Sequence, residues 1–308
     1  MSLVWVPLLA PFLAVPAARR LADALAPRRA AALLVCVAAG LALCTVAALA
    51  LLVVPGASYL PWVAAAGELL TPLADGPPAV TVGVSAAAAA LLGASAAAVT
   101  VRLRAHRADL REARTRAGAF HGELAVVPDE RPDAFALPGR PGRIVVTTAM
   151  LHALEPAERA ALFAHERAHL RGRHHLLLAA ADLAARCHPA LRGLRAPLGY
   201  ALERIADEAA ADAVGDRTLT ARAVGRAALA GSPAPRPRTV LAATAGPVPR
   251  RVAALLGREV GGSPAATPRL RRAVAAGLLL CLVTTGAAEL SAADTLHAHI
   301  EVAQGEWR

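Results

Sequence analysis

Four uncharged apolar runs, at residues 2–18, 30–54, 79–101 and 273–288, constrain this chain more than any other feature. A helix needs about 20 apolar residues to cross a bilayer, because in lipid every backbone N–H and C=O must be satisfied within the segment. The second and third runs meet that length outright. The first is short and holds Pro7, Pro11 and Pro16; the fourth reaches the length only by extending through Leu270 or Leu290. A cleaved signal peptide is the alternative for residues 2–18. It needs positive charge before the apolar run, whereas here Arg19 and Arg20 follow it. Composition agrees with spans: the chain is 56% hydrophobic with a mean hydropathy of +0.47, too apolar for an ordinary soluble protein.

Charge orients the runs. The net charge is +10, and every basic residue is Arg, with no Lys anywhere. Arg19, Arg20, Arg28 and Arg29 crowd the first loop, whereas residues 55–78 carry Glu68 and Asp75 and no Arg. Arg102, Arg104, Arg107 and Arg111 follow the third run, and Arg269, Arg271 and Arg272 precede the fourth. Beyond it lie Glu289, Asp294, Glu301 and Glu306 against Arg308 alone. Positive charge stays in the cytoplasm, so the first loop and residues 102–272 face inward and both termini face outward in a multi-pass plasma-membrane protein. Trp5, Tyr59 and Trp62 then sit near the outer interface. Arg clustering beside apolar spans favours a lipid bilayer as partner over nucleic acid, and at 3% aromatic residues there are few platforms for stacking bases. Cys36, Cys44, Cys187 and Cys281 show neither pairing nor metal-ligand spacing, which predicts no disulfide and no cysteine metal site.

These readings divide the chain into a three-span membrane domain (1–101), a cytoplasmic domain (102–230), a Pro/Arg-rich connection (231–270), a fourth span (271–290) and a short outer tail (291–308). The connection is semi-rigid through Pro233, Pro235, Pro237, Pro247 and Pro249. Within the cytoplasmic domain, β-branched runs at Val126–Val127 and Ile144–Thr148 between Pro/Gly turns predict short strands. LEPAERAALFAHERAHLRGR predicts a helix, with Pro156 in its first turn and Glu155 and Glu158 at its positive end. Residues 176–187 are too short to span, so they form a core helix or one lying against the membrane.

That helix contains His165-Glu166-Arg167-Ala168-His169. With 10 His in 308 residues, chance gives His-Glu-x-x-His about once in seventy such sequences, so the surroundings must decide. Residues four apart share a helix face, so His165 and His169 can both offer a ring nitrogen to one Zn²⁺. Glu166, one step round, can take a proton from water that the metal activates. A catalytic zinc usually has three protein ligands. Downstream, Glu203 and Asp207 are again four apart; Glu203 completes a His₂Glu set and Asp207 can hydrogen-bond a ligating histidine's other nitrogen. Glu208 and Asp212 read as a solvated acidic face. His106, His121, His152, His174, His175 and His188 read as solvated or capping residues. An oxyanion donor is also needed; Arg204, Tyr200, His174 and His188 are unranked candidates.

Helix 161–170 together with Glu203-Arg204-Ile205-Ala206-Asp207 resembles the HExxH…ExxxD signature of gluzincin membrane peptidases, and DAFALPGRPGRIVVTTAML resembles their strand and approach segment. The span layout is most similar to the BlaR/MecR-type antirepressor peptidases. The heat-shock and prenyl-protein membrane endopeptidases share the motifs in a different organisation. The resemblance implies a polytopic α-helical membrane protein carrying a mainly α (α+β) zinc peptidase domain. It also implies one Zn²⁺ per chain and a protein or peptide substrate such as a winged-helix transcriptional repressor. About 18 residues follow the last run, so the expectation is a relative without the penicillin-binding sensor. The alternatives are a quality-control or processing endopeptidase, and a catalytically idle zinc-binding scaffold or sensor; an intact Glu166 argues against the last.

Overall fold

The fold is described from a computed structural model, for residues 2–73, 76–118, 122–231, 248–257 and 268–305. Asp75, His121, Glu306, Arg308 and prolines 233, 235, 237 and 247 lie outside the described residues. Helix α1 (Val6–Asp23) runs on through Pro11 and Pro16, and α2 (Pro27–Ala57) starts with Pro in its first turn, where the missing N–H costs nothing. After the short α3 (Pro61–Ala66), helix α4 (Pro78–Gly118) runs well past its apolar stretch. A parallel pair, β1 (Leu124–Val127) and β3 (Arg143–Thr147), forms a three-stranded sheet with the antiparallel β2 (Ala134–Leu137), in the order β1-β3-β2. Then come α5 (Thr148–Ala153), α6 (Pro156–Arg171), α7 (His174–Cys187), α8 (Arg195–Val214), α9 (Arg217–Ala230), α10 (Val248–Leu255) and α11 (Pro268–Gln304).

Among the described residues, four helices are long and apolar enough to cross a membrane: Leu3–Asp23, Pro27–Ala57, Pro78–Thr115 and Arg272–Gln304. They coincide with the four apolar runs. The windows in α4 and α11 are only 11% and 17% buried, leaving broad apolar faces uncovered by protein. Close contact between α2 and α4 is permitted by Gly56, where a Cβ would meet the Ser85 side chain. The Ser85 hydroxyl donates to Leu52 C=O at 2.7 Å and accepts from Gly56 N–H at 2.9 Å, bridging a helical bond opened beside Pro55.

The largest apolar cluster joins the long apolar helices to α7 and α8. Leu34, Val37 and Leu41 of α2 pack with Leu178 of α7 and with Leu198 and Leu202 of α8. Residues 176–187 are therefore a core helix against the spans, one of the two expected outcomes. Arg102 of α4 reaches Asp182 of α7 at 3.1 Å, and Arg250 of α10 reaches Asp23 at the end of α1 at 3.3 Å.

Strands β1 and β3 fall where the β-branched runs place them, whereas β2, Ala-Phe-Ala-Leu, has no β-branched residue. Helix α6 begins with Pro156, as its sequence predicts, and Glu155 and Glu158, expected only as charges at its positive end, form a reciprocal cap there. Within the stretch read as a connection, α10 is an ordered helix whose Leu255 is buried in a cluster with Ala211, Ala221 and Val224. Proline spacing signalled a linker there; apolar residues at Val248, Val252 and Leu255, on one helical face, overrode it. In the C-terminal tail, α11 continues to Gln304, and Leu296 and Ala303 pack on Leu73.

Candidate metal centre

Helices α6 and α8 cross so that His165, His169 and Glu203 each bring a ligand atom within 4.8 Å of the others, all buried. His165 Nε2 and His169 Nε2 are 3.1 Å apart, and each lies 3.5 Å from an oxygen of Glu203. A tetrahedral zinc with ligand bonds of 2.0–2.1 Å spaces its ligand atoms about 3.3 Å apart, close to the separation of the two histidine nitrogens and to the distance of each from the nearer oxygen of the Glu203 carboxylate, Oε2 for His165 and Oε1 for His169. Neither carboxylate oxygen of Glu203 makes a well-formed hydrogen bond, although both are buried. Arg251 brings a cation to within 2.8 Å of Oε2, so Oε1 is the acceptor left open, and a buried acceptor in that position is costly without further positive charge. The donor set therefore fits zinc.

The outer nitrogens of both histidines are occupied. His165 Nδ1 is 3.0 Å from Asp207 Oδ1, and His169 Nδ1 is 2.7 Å from His174 Nδ1. A neutral imidazole that keeps its Nε2 lone pair for a metal must carry its proton on Nδ1. His165 then directs its proton towards Asp207, 3.0 Å away but out of line for a well-formed hydrogen bond, and His169 donates to His174. His174, expected to be solvated or capping, is instead buried, because α7 starts two residues after α6 ends. Arg173, in the left-handed conformation at φ 48°, makes that reversal.

Arg251 was not legible in the sequence. Fully buried, it reaches in from α10, with Nε and Nη2 on the two oxygens of Asp207 at 2.8 and 2.6 Å and Nη1 on Glu203 at 2.8 Å. A fork on two planar oxygens is the geometry guanidinium suits best. Its signal would have been the helical period of Val248, Val252 and Leu255 around it.

Electrostatics follow from the geometry. Burial pushes Asp207 up, but Arg251 and His165 overcome it and hold the carboxyl at about 2. Burial pushes His165 down, yet Asp207 and Glu203 hold it at about 10 in the metal-free site. Burial, with His165, His174 and Arg251 nearby, keeps His169 well below the usual histidine range. Glu166 is raised to about 8, mainly by burial. The Ala136 backbone of β2 favours the carboxylate, although neither buried oxygen of Glu166 makes a well-formed hydrogen bond.

The remaining predicted residues take other places. Glu208 pairs with Arg204 and Arg217 near the surface and Asp212 is exposed, as a solvated face should be. Of the oxyanion candidates, Arg204 is held by Glu208 at 3.0 Å, and Tyr200 lies under Arg250, 4.7 Å from its ring centroid. His188 caps the turn at Pro189–Leu194 and contacts Leu8 C=O at 3.1 Å. His174 reaches the cluster only through His169. His152 is exposed, and the two ring nitrogens of His106 are buried without a hydrogen-bond partner.

A mostly helical chain with a buried His-His-Glu cluster on crossed helices, and a glutamate beside it close to a strand, has the make-up of a metallopeptidase. Residues 104–189 match the family model described as Peptidase family M48, whose members are zinc-dependent peptidases. The matched stretch contains the sheet, His165, Glu166, His169 and His174, and ends before Glu203, Asp207 and Arg251. No curated protein and no solved structure matches the chain.

Proposed function

We propose that this chain is a membrane-embedded zinc endopeptidase that cleaves a cytoplasmic protein, a transcriptional repressor, as part of a signalling response. The observation that carries the peptidase reading is the convergence of His165, His169 and Glu203 beside a buried Glu166 close to the edge strand β2. The span layout and its resemblance to antirepressor peptidases support the repressor as substrate. Arginine placement at the α1–α2 loop and at both ends of residues 102–272 supports a cytoplasmic site.

Strand β2 offers the substrate a backbone template. Thr147 N–H donates to Asp133 C=O at 3.0 Å, so in this antiparallel register Phe135 and Leu137 exchange bonds with β3. Ala134 and Ala136 then turn their N–H and C=O to the edge that pairs with no strand among the described residues, where both residues are buried and a substrate strand would have to displace what covers them. An extended peptide pairing there is held by main-chain bonds beside Glu166. A zinc ion held by His165, His169 and Glu203 would polarise the scissile carbonyl and acidify the attacking water. Glu166 takes the water's proton as its oxygen adds to the carbonyl carbon, and passes that proton to the amine nitrogen as the C–N bond breaks. A carboxylate that burial makes more basic suits both transfers. Asp207 and His174 fix the ring orientations throughout.

The test uses the purified full chain in detergent, with casein and with a winged-helix repressor encoded beside it as substrates. Glu166→Gln should retain zinc and lose nearly all cleavage; His165→Ala should lose both. Unchanged turnover in Glu166→Gln removes the enzyme reading. Cleavage of casein but not of the repressor removes the antirepressor role alone.

A further inference from the structure

A cavity of about 430 Å³ lies between the start of α2, α6 and α8. Three arginines line it, Arg28, Arg167 and Arg171, together with His174, Ile205 and small residues of α6 and α8. We propose that this cavity binds the phosphate of an anionic phospholipid drawn from the leaflet on the side of the sheet.

Charge is the first argument. Glu123 engages Arg167 at 2.6 and 3.1 Å, which offsets one of the three guanidinium groups. Arg28 and Arg171 are exposed and form no ion pair among the described residues. A phosphate suits such a site, since guanidinium groups bind its oxygens through forked, charge-assisted hydrogen bonds.

Position is the second. Arg28 is the second residue of α2, so the cavity opens where the apolar run begins. At that depth a headgroup phosphate meets the arginines, while Ile205, Ala209 and Ala213 face the less polar part of the lipid. Arginines beside a membrane helix on the cytoplasmic side attract anionic headgroups, each contributing on the order of 1 kcal/mol near the surface.

The cavity is separate from the peptide edge. Ala164, Arg167, Ala168 and Arg171 lie on a different face of α6 from His165 and His169, and Ile205 and Ala209 lie on the far side of α8 from Glu203 and Asp207. Only His174 touches both: it lines the cavity and contacts His169. An occupant therefore braces the ring that orients a ligand of the proposed metal centre, a consequence that rests on the zinc reading while lipid binding does not.

Native mass spectrometry of the full chain, released from micelles doped with equal amounts of phosphatidylglycerol and phosphatidylcholine, tests the proposal. The wild type should retain phosphatidylglycerol over phosphatidylcholine by on the order of tenfold. The double change Arg28→Gln with Arg171→Gln should abolish that preference with zinc content unchanged. Removing the same charge elsewhere, by Arg111→Gln with Arg114→Gln, should not. Ala209→Phe, which fills the cavity and keeps every arginine, should also abolish it, and this variant decides the matter should the double Arg variant fail to fold. Equal retention of both lipids by the wild type overturns the proposal, as does a preference that survives Ala209→Phe. Displacement of the lipid by inorganic phosphate at comparable concentration would make the site one for free phosphate. Displacement by an acidic peptide would make it a protein-docking site, and either result overturns the lipid assignment.

Discussion

Arg251 and Asp207 form a pair in which neither partner can be removed cheaply. Both are buried, and Arg251 also carries the charge that faces Glu203. Replacing one member of a buried pair leaves the other charge without compensation, typically at a cost of about 3–5 kcal/mol. Arg251→Ala is therefore expected to lower stability strongly without zinc and less strongly when zinc supplies the missing positive charge. Thermal melts of wild type and variant, with zinc and with chelator, measure this; an equal loss in both states would mean that Arg251 acts only as packing. Gly172 makes a second point at this scale. Its φ is −75°, which any residue adopts, but a Cβ there would sit 2.3 Å from His174 Nε2. Gly172→Ala should push His174 off His169 and weaken zinc binding by about 10–100-fold, as loss of an orienting partner commonly does. Zinc competition titration checks it, and unchanged affinity would make the His169–His174 contact incidental. The sequence could show His165, Glu166, His169, Glu203 and Asp207 because each four-residue spacing is a helix period. It could not show His174 or Arg251, whose roles depend on how separate helices meet.

At the scale of elements, strong local signals and the structure agree. The Pro156 start and Glu155–Glu158 cap of α6 are chemistry between residues three apart, and β1 and β3 are marked by β-branched runs between turns. Where an element is held by distant partners, sequence spoke for something else: the prolines around α10 read as a connection. The sheet order β1-β3-β2 was likewise not written in the strands, yet it is what leaves β2 at the edge beside Glu166. This edge can be tested without touching a side chain. Proline is tolerated in an edge strand where its missing N–H faces outward. Ala136→Pro removes an N–H that β3 does not use, so the fold should survive while peptide cleavage falls about five- to tenfold, the effect of losing one charge-free backbone bond at about 1–1.4 kcal/mol. Cleavage rates alongside melting curves decide; full activity would mean that peptides do not pair with β2.

For the molecule as a whole, the helices themselves separate two ends. Helix α2 has 31 residues, which at about 1.5 Å per residue exceeds the ~30 Å hydrocarbon core. Its Pro27 end and its Ala57 end therefore lie on opposite sides of any bilayer it crosses. The first end carries Arg28 and Arg29 and, through Asp23 and Arg250, is tied to the part that holds the metal centre. The second end is joined to the tail: Leu70 N–H donates to Ala303 C=O at 2.7 Å, and Gln304 Nε2 donates to Gly67 C=O at 2.7 Å. In the proposed topology, positive charge at the first end places it on the cytoplasmic side. In a variant with Cys36, Cys44, Cys187 and Cys281 replaced, Leu60→Cys and His297→Cys should react with an impermeant maleimide in intact cells, since both positions are exposed. Ala303, 4% exposed, would be a poor reporter. Glu130→Cys, on the exposed turn before β2, should react only after permeabilisation. Reaction of Glu130→Cys in intact cells, with Leu60→Cys silent, would invert the topology, move the metal centre outside and exclude a cytoplasmic repressor as its substrate.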